Sequence, residues 1–345
     1  MPEPMTRRTF LGAVAAAGAA TCLPALAAPP SQRLIVGRRT IEVLGKSAKV
    51  YGVTDGNGRS GLLLEPGERF SVAVENTLRE ATTVHWHGMT PAPELDGIAE
   101  TGYVAPLAAG EVRNFDFVPR SGTHWMHSHH GLQEQSLLTA PLIVREADDL
   151  DAQEVTLLLN DFSFRDPAEI LAGLTGEAGM DHGGGGGMAG MDHGSMAGST
   201  APMDHSAMAG MDLNDVEYDA FLANDRTLED PEVIRTERNG RVRLRIINGA
   251  SATAFWIDLD GREATVLAVD GNPVQPLTGS RFPLAQAQRL DLLVEVPSGA
   301  VVPVFARREG DVARTGIILA APGAGVTKYA GATELAEAPV DMSLE

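Results

Sequence analysis

The side chains of this chain best equipped for chemistry are its histidines, and they are grouped. Of the nine, six fall in two tight sets: His85 and His87, then His124, His127, His129 and His130. In a strand, residues i and i+2 share a face, about 6.6 Å apart along the chain. His85/His87 and His127/His129 therefore read as two parallel pairs of imidazoles, with Trp86 and Ser128 pointing the other way. Neutral imidazole is a borderline-soft ligand for copper, zinc, iron or nickel. Single buried histidines are usually structural, but two His-x-His pairs in one small domain can hold a cluster of metals.

A second set of donors lies between residues 173 and 212. Met180, Met188, Met191, Met196, Met203, Met208 and Met211 sit among glycines and alanines, and a Met-Asp-His triplet recurs with His182, His193 and His205. Glycine at this density supports neither a packed core nor a regular helix, so the sequence predicts a flexible exposed insertion. Thioether and imidazole together favour Cu(I), and exposed methionine has little other purpose in a solvated loop, which points to copper capture rather than a neutral spacer.

Strands must position these residues. Arg69–Asn76 alternates apolar with polar or small residues, and Glu65-Pro66-Gly67-Glu68 before it has the Pro and Gly of a type II turn. Arg241–Ile246 alternates more cleanly, and Leu290, Leu292, Val294 and Val296 share a face with Asp291 and Glu295 opposite. No segment shows a sustained helical period with capping residues. Many short strands punctuated by Gly and Pro predict an all-β chain of two β-sandwiches. Residues 69–76 also resemble 241–248, each ending in Asn, which suggests a duplicated domain. With one inserted residue, His85-Trp86-His87-Gly88 falls opposite Asp258-Leu259-Asp260-Gly261, so the second copy lacks the histidines.

Length and charge agree. The 345 residues suit about two domains, and 27 basic against 46 acidic residues leave a net charge of −19, which disfavours a nucleic-acid partner. Arg7-Arg8, a mild apolar run and Ala25-Leu26-Ala27 read as a twin-arginine export signal over residues 1–27, too short and weakly apolar for a membrane span. Its removal takes Glu3, Arg7 and Arg8, leaves a charge of −20, and removes Cys22, the one cysteine of the chain. The expected location is the periplasm.

His85-Trp86-His87-Gly88 and the stretch Gly122-Thr123-His124-Trp125-Met126-His127-Ser128-His129-His130-Gly131-Leu132-Gln133-Glu134-Gln135 resemble the first two copper motifs of multicopper oxidases. The wording is nearest the copper-resistance oxidases, and the resemblance runs from about residue 33 to the C-terminus. It implies cupredoxin-like Greek-key sandwiches over 31–147 and 148–326, with the insertion in the second and residues 327–345 leading towards a third domain. By position, His85 resembles a type 2 copper ligand, and His87, His127 and His129 resemble type 3 ligands. His124 and His130 lie outside the motifs. Asp96, in Leu95-Asp96-Gly97, resembles a carboxylate that relays protons to reduced oxygen, with an ordinary Asp-Gly turn as the alternative.

The chain also departs from that family. A type 1 copper needs two histidines and a cysteine thiolate. Past the signal there is no cysteine, and no histidine follows His205. Three readings follow. One is an oxidase of cuprous ion or phenols, with dioxygen as acceptor, whose last domain is missing. Another is a periplasmic copper-sequestering protein without turnover. The third is an oligomeric oxidase completed by neighbouring chains, against which the missing cysteine counts. A sandwich face left uncovered by a missing domain would be an apolar patch prone to association.

Overall fold

The computed structural model describes residues 30–147, 150–175, 216–237 and 240–333. The expected export signal with Cys22, and all the insertion donors (Met180, His182, Met188, Met191, His193, Met196, Met203, His205, Met208 and Met211), lie outside the described residues.

The regular structure of the described residues is nearly all strand, in four sheets that pair into two sandwiches. The first contains β1 (Gln32–Val43), β2 (Lys46–Asp55), β3 (Leu62–Leu64), β4 (Phe70–Asn76), β5 (His85–His87), β6 (Val112–Phe117), β7 (Gly122–His127) and β8 (Thr139–Val144). One sheet has the order β2-β1-β4-β6 and the other β3-β8-β7-β5. Val72, Val74, Phe70, Trp86, Met126 and Leu142 fill the space between them, as the alternation of β4 requires. The turn before β4 forms as its residues predict: Gly67 has φ 77° and the Glu68 N–H donates to the Glu65 carbonyl.

The second sandwich contains β9 (Gln153–Phe162), β10 (Ala220–Ala223), β11 (Val233–Arg235), β12 (Arg241–Asn248), β13 (Phe255–Asp258), β14 (Ala264–Val269), β15 (Asn272–Gly279), β16 (Arg281–Leu284), β17 (Arg289–Glu295), β18 (Val301–Arg308) and β19 (Arg314–Ala320). Its sheets run β10-β9-β12-β17-β14-β15 and β11-β19-β18-β13-β16. The duplication seen in sequence recurs in topology. Parallel β1–β4 and β3–β8 correspond to parallel β9–β12 and β11–β19, and antiparallel β5–β7–β8 corresponds to β13–β18–β19. The terminal asparagines play the same part in both copies. Asn76 Nδ2 donates to the carbonyls of Glu80, Leu107 and Ala108, and Asn248 Nδ2 to those of Thr253 and Leu284. Each Oδ1 accepts from the N–H two residues on.

Two sequence expectations are corrected. The counterpart of β5 is β13, so only Asp258 of Asp258-Leu259-Asp260-Gly261 lies in a strand, and the equivalence shifts towards Phe255–Asp258. Among the described residues there is also one α-helix, α1 (Pro167–Thr175), begun by Asp166, whose Oδ1 accepts from the Ala168 N–H at 2.8 Å. None of its residues is fully buried, so no apolar period marks it in sequence.

The sandwiches meet along the outer face of β7 and β8. Trp125 and Ile143 pack on Leu158, Ile247 and Ala287, while Val43, Val50 and Leu137 pack on Phe162 and Leu222. Between these contacts lies a buried polar seam. Arg245, fully buried, donates to Glu146, Glu154 and Asp291, and Thr123 on β7 donates to Asp291 at 2.5 Å. This seam fixes β7, which carries His124 and His127, against β12 and β17.

Candidate metal centre

Strand pairing, more than sequence proximity, gathers the imidazoles. Antiparallel β5 and β7 place His85 opposite His127 and His87 opposite Trp125. Trp86 and Met126 turn into the core, both with 0% exposure, so the three histidines share the outer face. Trp125 is the floor: its ring stacks on His127 at 4.1 Å between centroids. One nitrogen from each of His85, His87 and His127 lies within 4.8 Å of the others.

Hydrogen bonds assign the free nitrogen of each ring. His127 Nδ1 lies 2.8 Å from Glu134 Oε2; the carboxylate only accepts, so Nδ1 carries the proton and Nε2 its lone pair. His85 Nδ1 donates to the Asp96 carbonyl at 3.1 Å, again freeing Nε2. His87 presents Nδ1 to His127 Nε2 at 3.2 Å. Two nitrogens each bound at about 2.0 Å to one metal stand roughly 3 Å apart at square-planar to tetrahedral angles. The pair is therefore spaced as two ligands of one ion, and without metal a single proton occupies that gap.

Electrostatics favour neutral rings. Burial pushes His85 down to about 4, helped by His127 and His129 and opposed by its bond to Asp96. Burial, then the Arg289 guanidinium, then the neighbouring imidazoles push His87 down to about 3. Burial also lowers His129. Imidazoles that are already neutral can bind a cation without first losing a proton.

His129 differs from the reading as half of a strand pair. The strand β7 ends at His127, and His129 lies beyond it, exposed, outside the convergent nitrogen triad. Its ring nevertheless stands 4.8 Å from that of His127 and 5.2 Å from that of His85. The loop is tied down from the segment just before β5: Thr83 Oγ1 accepts from the His129 N–H at 2.9 Å. Ser128 does turn inward, donating to Gln133 Oε1 and accepting from the His130 N–H. His130 joins no ring contact with the cluster among the described residues. His124 is buried at the seam, pushed down to about 4 by burial and Arg289.

Asp96 lies both in a turn and beside the cluster. It ends the 3-10 turn Pro93–Leu95 before Gly97, whose φ of 79° and contact with the Val84 carbonyl leave no room for a Cβ. Its carboxylate also reaches the cluster, with Oδ1 3.4 Å from His85 Nδ1, and burial raises its pKa against the pull of His129. Glu134, Thr83 and Arg289 escaped the sequence reading. Glu134 was visible only as a carboxylate seven residues past His127; nothing local marked the other two.

Comparison with known proteins adds a family. Sequence models described as multicopper oxidase match residues 36–149 and 181–317. Copper resistance protein A of Pseudomonas syringae pv. tomato is 28% identical over 336 residues, covering 89% of this chain and 55% of that protein. The multicopper oxidase MmcO of Mycobacterium tuberculosis is 31% identical over 278 residues, covering 76% and 51%. The chain thus spans about half the length of these relatives. Among solved structures, the multicopper oxidase Fet3p superposes with a TM-score of 0.65 at 17% identity, over 91% of this chain and 55% of that one. The blue copper oxidase of Nitrosomonas europaea gives 0.61 at 18%, over 84% and 85%. At such identities these two likenesses speak for the fold alone.

Proposed function

The chain belongs to the multicopper oxidase family, whose cofactor is copper, and from that premise we propose that its histidine cluster binds copper in the service of periplasmic copper tolerance. The observation that carries the reading is the 3.2 Å approach of His87 Nδ1 to His127 Nε2, with His85 as a third neutral donor. His85 takes the part of a type 2 ligand, and His87, His127 and His129 those of type 3 ligands. Bound copper supplies one-electron redox chemistry. The chain's own residues do the rest: Glu134 and the Asp96 carbonyl orient two rings, and Trp125 closes the floor against water. The Asp96 carboxyl, its pKa raised, is suited to hold a proton beside the cluster.

In the family reaction, four one-electron oxidations of cuprous ion or a phenol supply the electrons that, with four protons, reduce dioxygen to two waters. The sequence contains no cysteine after Cys22 and no histidine after His205. The residues present therefore build part of a cluster and no thiolate copper site, and this chain by itself binds copper without turnover. The methionines and histidines of residues 173–212 would capture soft Cu(I) before it reaches the cluster. Copper resistance protein A among the relatives supports the tolerance role, and the paired arginines Arg7 and Arg8 support export by the twin-arginine route. No helix among the described residues is long and apolar enough to cross a membrane.

Loading the purified chain with Cu(II) tests the reading. Electron paramagnetic resonance should show imidazole-nitrogen coupling that His127→Ala removes, with no intense blue band and no sustained oxygen uptake with a cuprous or phenolic donor. A His127→Ala spectrum identical to the parent's would overturn the site. A blue band, or oxygen uptake abolished by His127→Ala, would overturn the absence of turnover.

A further inference from the structure

Arg289 brings a permanent positive charge from the second sandwich to the back of the histidine hairpin. Its side chain is 5% exposed. The guanidinium is held by three carbonyls: Nε donates to Thr123 on β7 at 3.3 Å, Nη1 to Ala287 at 2.9 Å and Nη2 to Asp270 at 3.3 Å. Its carboxylate partner, Asp270, sits 3.2 Å from Nη1 and is 44% exposed, so water screens the negative end of the pair more than the positive end.

The inner end of the guanidinium stands over Gly88, the residue after His87. A Cβ built there would meet Arg289 Nη2 at 2.6 Å and His124 Nδ1 at 2.5 Å, and Gly88 itself has φ 93°. His124 Nε2 lies 3.3 Å from the Ser121 carbonyl, which can only accept, so Nδ1 bears the lone pair. That buried lone pair has no hydrogen-bond partner among the described residues and opens on the same point as the guanidinium. Glycine at 88 thus lets a cation and a neutral imidazole close directly behind His87.

We propose that Arg289 biases copper held by the His87–His127 pair, beside His85, towards its cuprous state. The inference rests on the reading that this cluster holds copper. The metal's charge rises from +1 to +2 on oxidation, and a fixed cation in a buried, poorly screened position opposes that rise. Arg289 is thereby a tuning residue that acts through the field at His87 and need not touch the metal.

The test is a redox titration of the full chain carrying one copper, followed by electron paramagnetic resonance, with His87→Ala marking which cupric signal belongs to the cluster. Arg289→Met should lower the midpoint by at least tenfold in the Cu(I)/Cu(II) affinity ratio, about 59 mV for a one-electron couple. Arg289→Lys, which keeps the charge, should retain most of the parent value. Asp270→Asn removes the counter-charge from a half-exposed position, keeps an oxygen for the Arg289 N–H, and should raise the midpoint. That opposite shift keeps the test decisive if Arg289→Met fails to fold. A purely structural role would weaken binding without shifts of opposite sign. If His87→Ala leaves the cupric signal unchanged, copper is elsewhere and the underlying reading falls with the inference. If it abolishes the signal while Arg289→Met does not lower the midpoint, or Asp270→Asn does not raise it, the inference alone is overturned.

Discussion

Replacing Glu134 perturbs the cluster at a single atom. Its Oε2 accepts the His127 Nδ1 proton at 2.8 Å, with the imidazole side chain 7% exposed and the carboxylate 23% exposed. This bond fixes the tautomer that leaves Nε2 free for a metal, and it strengthens when the bound cation draws charge from the ring. Outer partners of this kind are worth roughly 10- to 100-fold in metal affinity, or about 1.4–2.7 kcal/mol. Glu134→Gln keeps an acceptor oxygen and loses the charge, so about tenfold is expected; Glu134→Ala loses both and should approach 100-fold. Competition of Cu(II) against a chromophoric chelator reads the loss. The cupric ion suits the assay because methionine sulfur outside the cluster prefers Cu(I). Both variants should keep the parent circular dichroism, since only the side chain of Glu134 faces His127. If both bind Cu(II) within about threefold of the parent while His127→Ala does not bind, the orienting role of Glu134 is refuted.

Three further outcomes are expected. Arg245→Met leaves Glu146, Glu154 and Asp291 without their shared cation and should destabilise the chain by about 3 kcal/mol in chemical denaturation, less than a fully dry network because two of the acids keep some access to water. In the metal-free chain, His85 and His124 titrate near 4 when folded and near 6.5 when unfolded, so the unfolded state takes up protons first; stability should be level above pH 6.5, fall as pH drops towards 4, and fall less steeply in His124→Gln. Gly97→Ala should cost more than about 1 kcal/mol and weaken Cu(II) binding, because its Cβ would displace the Val84 carbonyl next to His85; unchanged binding in the chelator assay would contradict this.

Local pattern carries far in this protein. The alternation in Arg69–Asn76 and Arg241–Ile246 predicts β4 and β12 because a two-residue period needs only neighbours to be recognised. His85-Trp86-His87 is legible for the same reason: the core takes Trp86, so both imidazoles must face outward. Where long-range contacts decide, the pattern misleads. Asp291 reads as the polar side of its strand and is 1% exposed, because the first sandwich covers that side, bringing Thr123 there, and Arg245 of the neighbouring strand meets it. Ser128 and His129 continue the alternation of β7 in sequence, yet the strand stops at His127 and Thr83 captures the backbone beyond it.

The sequence by itself determined the donors: which residues can bind a soft metal, their spacing, the all-β class, and the absence of cysteine beyond Cys22. Ligand chemistry and strand period are properties of single residues and near neighbours, and survive without a fold. Only the tertiary structure decided which nitrogens converge, that Glu134 and the Asp96 carbonyl fix two of the tautomers, and that Arg289 lies behind His87. Those relations join positions up to about 200 residues apart through strand register and the packing of one sandwich on another, and no local pattern encodes them.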